Sequence, residues 1–157
     1  MGGLLRALGA CLLVLACGGA GVLLALRQKR QWESVHVFNQ LLDYLRTGIL
    51  YRAQAGEELI EDAAAWPDFA ALGLGGCQKL RDIPPPTGFG SALQREIADC
   101  LAGVEDAPRE AGCAALAQLL TLCRAAEEEQ RRALREAVRL YPKLGLCAGL
   151  MAAIVLI

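Results

Sequence analysis

The sequence predicts an all-α protein: a polar helical bundle held in a membrane by a helix at either end. Three observations carry that prediction. Residues 7–26 contain no charge over twenty positions, and residues 144–157 form a second uncharged run of fourteen. Between them, apolar residues recur at steps of three and four, the spacing of one helix face. Strand signals are missing, because β-branched residues are few, no stretch alternates and no Asn-Gly turn occurs.

The first element is a membrane helix over residues 4–26. A bilayer core is about 30 Å thick and takes about 20 mostly apolar residues to cross. The last, over residues 144–157, is shorter, reaching roughly 21 Å as a helix. It gains length where residues 138–143 enter the interface and Arg139 and Lys143 snorkel to the headgroups. Arg6 alone precedes the first run, whereas Arg27, Lys29 and Arg30 follow it. Arg131, Arg132, Arg135, Arg139 and Lys143 precede the second. Cationic flanks stay on the cytoplasmic side, so residues 27–143 are expected to form a cytoplasmic domain. The alternative is a secretory signal ending near Cys11 or Cys17, which would make the chain a lipoprotein with its helical domain outside the cytoplasm. The apolar length argues for a span, since residues 21–26 stay apolar beyond both cysteines.

Within the body, Val35, Phe38, Leu42, Leu45 and Ile49 share one stripe of a helix expected over residues 31–53. Gly56 breaks it, and a short acidic helix follows over residues 57–65. Trp66-Pro67-Asp68 marks a turn, and a glycine-weakened helix is expected over residues 68–80. Pro84-Pro85-Pro86-Thr87-Gly88 excludes regular helix. Ser91 and Gln94 have capping-box spacing, with Leu93, Ile97, Cys100, Leu101 and Val104 on one face behind them. A short turn is expected at Gly103–Asp106. Pro108 then opens a long helix expected to reach residue 141, in which Glu127 and Glu128 stand at i, i+4 to Arg131 and Arg132.

Chemistry-bearing residues are scarce. The chain has one histidine, His36, and lacks a phosphate-binding glycine loop, a metal-protease helix and a nucleophile elbow. No enzyme, metal or cofactor is expected, and His36 is assigned an interfacial or surface role. The seven cysteines show no zinc or dithiol spacing and are expected as free thiols. Residues 57–106 carry ten acids against Lys79, Arg81 and Arg95, a balance of −7. That disfavours nucleic acid, while the basic flanks suit anionic lipid. Glu57, Glu58, Glu61 and Asp62 form the strongest acidic cluster and the candidate face for a protein partner. Gly145, Gly149 and Ala153 recur every four residues, as do Cys17, Gly21 and Ala25. Small residues at this spacing let membrane helices approach closely, so the two anchors are expected to pack with each other or with a neighbour.

Leu140-Tyr141-Pro142-Lys143-Leu144-Gly145 leads into Gly149-Leu150 and an apolar run. Gly103-Val104-Glu105-Asp106 is a Gly-x-x-Asp segment, and Leu45 precedes Ile49-Leu50-Tyr51. In these residues, and in its layout over nearly the full length, the chain resembles the stage III sporulation protein AB family. It departs from that family at Arg52-Ala53-Gln54-Ala55-Gly56 and in its proline-rich middle. The resemblance implies a cytoplasmic domain similar to the platform proteins of type II secretion. It implies a place in the mother-cell membrane facing the forespore, within a secretion-like transenvelope complex. The implied partner is a cytoplasmic ATPase of the stage III sporulation protein AA type, with the other membrane members of that complex.

Overall fold

The computed structural model describes residues 2–52 and 56–156, leaving out the side chains of residues 2–8, 10, 11, 13, 52, 152, 153, 155 and 156. Ala53, Gln54 and Ala55, where the chain departs from the family pattern, lie outside the described residues, as does the side chain of Ala153. Four α-helices run in order: α1 Gly2–Thr47, α2 Gly56–Ala64, α3 Ser91–Asp106 and α4 Arg109–Leu156. Among the described residues there is no strand. The chain divides into two compact units, residues 31–129 and residues 1–30 with 130–157. Both divisions fall inside helices, since α1 and α4 run unbroken across residues 30–31 and 129–130.

The unit of residues 31–129 has a single apolar core. Val35, Phe38, Leu41, Leu42 and Leu45 of α1 are buried in it, on the stripe that the sequence periodicity traces. Leu59 and Ile60 of α2 join them, with Ile97 and Leu101 of α3 and Leu116, Leu119, Leu120 and Cys123 of α4. Each is an i, i+3 or i, i+4 neighbour of another buried residue on its own helix, Leu59 and Ile60 through Ala63, which is how a helix concentrates its apolar surface. Phe38 meets Phe89 edge to face at 5.9 Å, drawing the proline-rich loop onto the core.

The first body helix ends earlier than its periodicity predicts. At Gly48 the chain widens into a π-turn, Gly48–Arg52. A Cβ at Gly48 would collide with the Leu59 side chain, so glycine there lets α2 close onto the end of α1. Arg109 then donates from Nε to the Ile49 carbonyl at 2.7 Å and from its guanidinium to the Leu50 carbonyl. A cation on the open carbonyls of a helix end complements the helix dipole.

Four further expectations are corrected. Residues 67–82 form three short 3₁₀ turns, Pro67–Leu72, Leu74–Gly76 and Leu80–Asp82, where one helix was expected over residues 68–80. Gly73, at φ 69°, takes a left-handed conformation that closes the first turn. The Ser91–Gln94 capping box does not form: Gly90 is the N-cap and makes no side-chain cap bond. Gln94 instead donates from Nε2 to the Pro86 carbonyl at 3.0 Å, pinning the proline loop to α3. The turn expected at Gly103–Asp106 is the last turn of α3, which ends at Asp106. Finally, α4 passes Tyr141 and carries Pro142 inside it.

Candidate functional site

The unit of residues 1–30 and 130–157 is a pair of antiparallel helical segments meeting through small residues. A Cβ built on Gly21 would stand 2.6 Å from the Tyr141 carbonyl oxygen. One on Gly145 would stand 2.7 Å from the carbonyl oxygen of Cys17, and one on Gly149 2.9 Å from Val14 Cα. Backbone cannot yield as a side chain can, so each glycine permits an approach that a larger residue would prevent. In this register Ala25 lies level with Ala137, and both are buried. The structure thus brings Cys17, Gly21, Gly145 and Gly149 to one interface, with Ala25 on its continuation.

The outward surface of this unit is the reverse of a water-soluble helix pair. Leu15 is 72% exposed, Leu144 61% and Ile154 71%. Val22, Leu23, Leu24, Leu26, Leu146, Leu150 and Met151 are exposed as well. Glycine and alanine are inside while leucine is outside, whereas burial in water would favour the opposite placement. Continuing the same register sets Arg27, Lys29 and Arg30 level with residues 132–136. The unit holds nine Lys and Arg residues against Glu136, a net +8. Six of the nine cations, Arg27, Lys29, Arg30, Arg131, Arg132 and Arg135, gather at that one end, while Arg139 and Lys143 lie level with residues 23 and 19. The other unit has sixteen Asp and Glu against seven Lys and Arg, a net −9. Among the described residues, no helix is long and apolar enough to cross a membrane. Ala7, Leu8, Ala10, Cys11 and Leu13 of the first apolar run have side chains outside that description.

In the acidic unit, α2 presents Glu57 and Glu61 one turn apart on the rim of an open cleft of about 460 Å³. Ile60, Ala64 and Leu74 supply its apolar lining, and Gly75, Cys77 and Gln78 complete the far wall. Neither Glu57 nor Glu61 has an ion-pair partner among the described residues. Glu58 is exposed outside the cleft, and Asp62 engages other groups. The four acids therefore do not form one constellation, and only two share the cleft. Of the family-like residues, Leu45 is buried and Ile49 packs against the core, while Tyr51, Gly103, Asp106 and Leu144 are exposed.

A second polar cluster joins α1 to α4. Asn39, only 4% exposed, donates from Nδ2 to the Glu127 carboxylate at 2.6 Å and to the Cys123 carbonyl at 3.3 Å. His36 donates from Nδ1 to the other Glu127 oxygen at 2.6 Å, and Gln40 Nε2 faces His36 Nε2 at 3.1 Å. With the Gln40 amide donating to Nε2, the imidazole hydrogen that faces Glu127 is on Nδ1. His36 is half-buried and bonded across from α1 to α4. Glu127 likewise serves α1, where its spacing predicted a pair with Arg131. Replacing Glu127 with Ala should cost about 1–3 kcal/mol, the cost of leaving a buried amide short of its acceptor. Urea unfolding of the detergent-solubilised chain measures this, and Glu127→Gln should lose less.

Three thiols of the acidic unit, Cys77, Cys100 and Cys123, are poor nucleophiles. Burial, reinforced by Glu96 and Cys100, pushes Cys123 up to about 12. Burial also raises Cys100, with Glu96 adding, and Cys77, with Asp82 adding. The six described cysteines are free, and among the described residues no three potential metal ligands converge. No family model, curated protein or solved structure matches the chain.

Proposed function

We propose that this protein is a non-enzymatic membrane component whose paired terminal helices anchor an acidic helical domain on the cytoplasmic side. The carrying observation is the inverted packing of the paired segments: glycine at their contact and leucine facing out. A lipid environment removes the cost of that outward apolar surface. It also accounts for the cationic end, where each Lys or Arg near an anionic leaflet contributes on the order of 1 kcal/mol. The same cations hold that end on the cytoplasmic face by the positive-inside rule. The acidic domain, repelled by anionic headgroups, is then turned toward protein partners.

The resemblance to the stage III sporulation protein AB family supports a finer reading. In it the chain is a platform of the secretion-like complex between mother cell and forespore, coupled to a cytoplasmic ATPase of the AA type. The cleft beside Glu57 and Glu61 is the ATPase-facing surface. The double replacement Glu57→Lys and Glu61→Lys should abolish co-purification of that ATPase while leaving membrane retention unchanged. Undiminished co-purification would remove the cleft from this role. The mass of the membrane-extracted chain tests the lipoprotein alternative, since that reading requires loss of the first anchor by cleavage ahead of Cys17 or Cys11 and lipid on that cysteine.

A further inference from the structure

Directly after α2, Trp66 stands half-exposed over two other rings. Its ring lies 6.2 Å from Phe69, nearly parallel at 16°, and 5.8 Å from Tyr44, while Tyr44 and Phe69 are 6.0 Å apart. Phe69 is buried beneath, so Tyr44 and Trp66 supply the accessible aromatic surface. Beside them opens a cavity of about 320 Å³, lined by the three rings with Gln40, Asp43, Thr47 and Asp68. One liquid water occupies about 30 Å³, so the cavity has room for a side chain.

The polar lining is selective in kind. It consists of two carboxylates, an amide and a hydroxyl, and no Lys or Arg lines it. Thr47 spends its hydroxyl hydrogen on the Asp43 carbonyl at 2.7 Å, which leaves that oxygen an acceptor. Asp43 is ion-paired with Arg46 at 4.0 Å and with Arg124 at 3.7 Å, so Asp68 is the carboxylate left to meet a cation in the cavity. Asp68 has no ion-pair partner among the described residues. Aromatic faces attract cations through their quadrupole, and hydrogen-bond acceptors beside them demand a cation that can donate. A quaternary ammonium has no such hydrogens. A guanidinium stacks flat on a ring and donates from its edge to a carboxylate.

We infer that this aromatic and carboxylate cavity binds an arginine side chain presented by a protein partner. Trp66 and Tyr44 give the stacking surface, and Asp68 accepts from the guanidinium. The net charge of −9 on this unit steers a basic partner toward it. The site does not depend on the membrane reading, and it lies apart from the Glu57–Glu61 cleft.

The test uses the full chain in detergent with Trp32→Phe, which leaves Trp66 as the only indole. The probe is the tripeptide acetyl-Ala-Arg-Ala-amide, and the comparison is the same peptide with neutral citrulline for arginine. The arginine peptide should change Trp66 fluorescence saturably at millimolar concentration, and the citrulline peptide should not. Asp68→Asn should raise the half-saturating concentration roughly tenfold, the loss of a charge-assisted pair. Three outcomes overturn the assignment: no saturable change up to tens of millimolar, an equal response to citrulline, or indifference to Asp68→Asn. Failure of the protein to remain in membranes would leave this result untouched, so the two claims fail separately.

Discussion

Replacing Gly145 with leucine should separate the two terminal helical segments. A single Cβ there already stands 2.7 Å from the Cys17 carbonyl oxygen and 3.3 Å from its carbon. Leucine adds three further carbons against backbone that cannot rotate away. Association of membrane helices rests on close packing of many weak contacts, so an ångström of separation forfeits most of it. A cross-link gives the readout. Ala25 and Ala137 are both buried at level positions of the pair, and each already carries a Cβ. With the native cysteines replaced by alanine, Ala25→Cys and Ala137→Cys should be joined within one chain by a short thiol-to-thiol cross-linker. Adding Gly145→Leu should reduce cross-linking by roughly tenfold or more. Equal cross-linking with the leucine present would mean that close glycine packing does not hold the pair.

The second large effect falls in the acidic domain. Phe38 is wholly buried, and its edge-to-face partner Phe89 belongs to the loop between the 3₁₀ turns and α3. Phe38→Ala should destabilise the domain by about 3–5 kcal/mol, since it loses apolar burial and leaves a cavity that the surroundings only partly fill. Domains of this kind have about 5–15 kcal/mol in total, so the variant keeps little margin. Urea unfolding of the detergent-solubilised protein should show a lower midpoint with an unchanged slope. A loss below about 1 kcal/mol would contradict the assigned core, because full truncation of a buried aromatic costs several times that.

The core helices were legible in the sequence because burial imposes a period. Val35, Phe38, Leu42 and Leu45 repeat at helical steps, and all four are buried. The stripe of Cys17, Gly21, Gly145 and Gly149 was legible for a similar reason, since small residues at four-residue spacing mark a close helix approach. What escaped was set by contacts between distant residues. Nothing in the local pattern says that Arg109 will complete the end of a helix some sixty positions earlier. Asn39 reads as an ordinary polar residue until Glu127, 88 positions away, is placed against it. The 3₁₀ turns of residues 67–82 have no hydrophobic period to follow, and glycine spacing there suggested only a weakened helix. Trp66 announced a turn by preceding Pro67, but its assembly with Tyr44 and Phe69 needed the fold.

Cys147 tests the central claim with a native residue. It is exposed in the structure, so no part of the described protein shields it from reagent. A thiol reacts with maleimide as the thiolate, a charged form that hydrocarbon disfavours and water supports. In membranes bearing the full chain with its other cysteines replaced by alanine, a water-soluble maleimide should leave Cys147 unmodified until sodium dodecyl sulfate is added. Labelling as rapid in the intact membrane as in the denaturant would show water where the account places lipid.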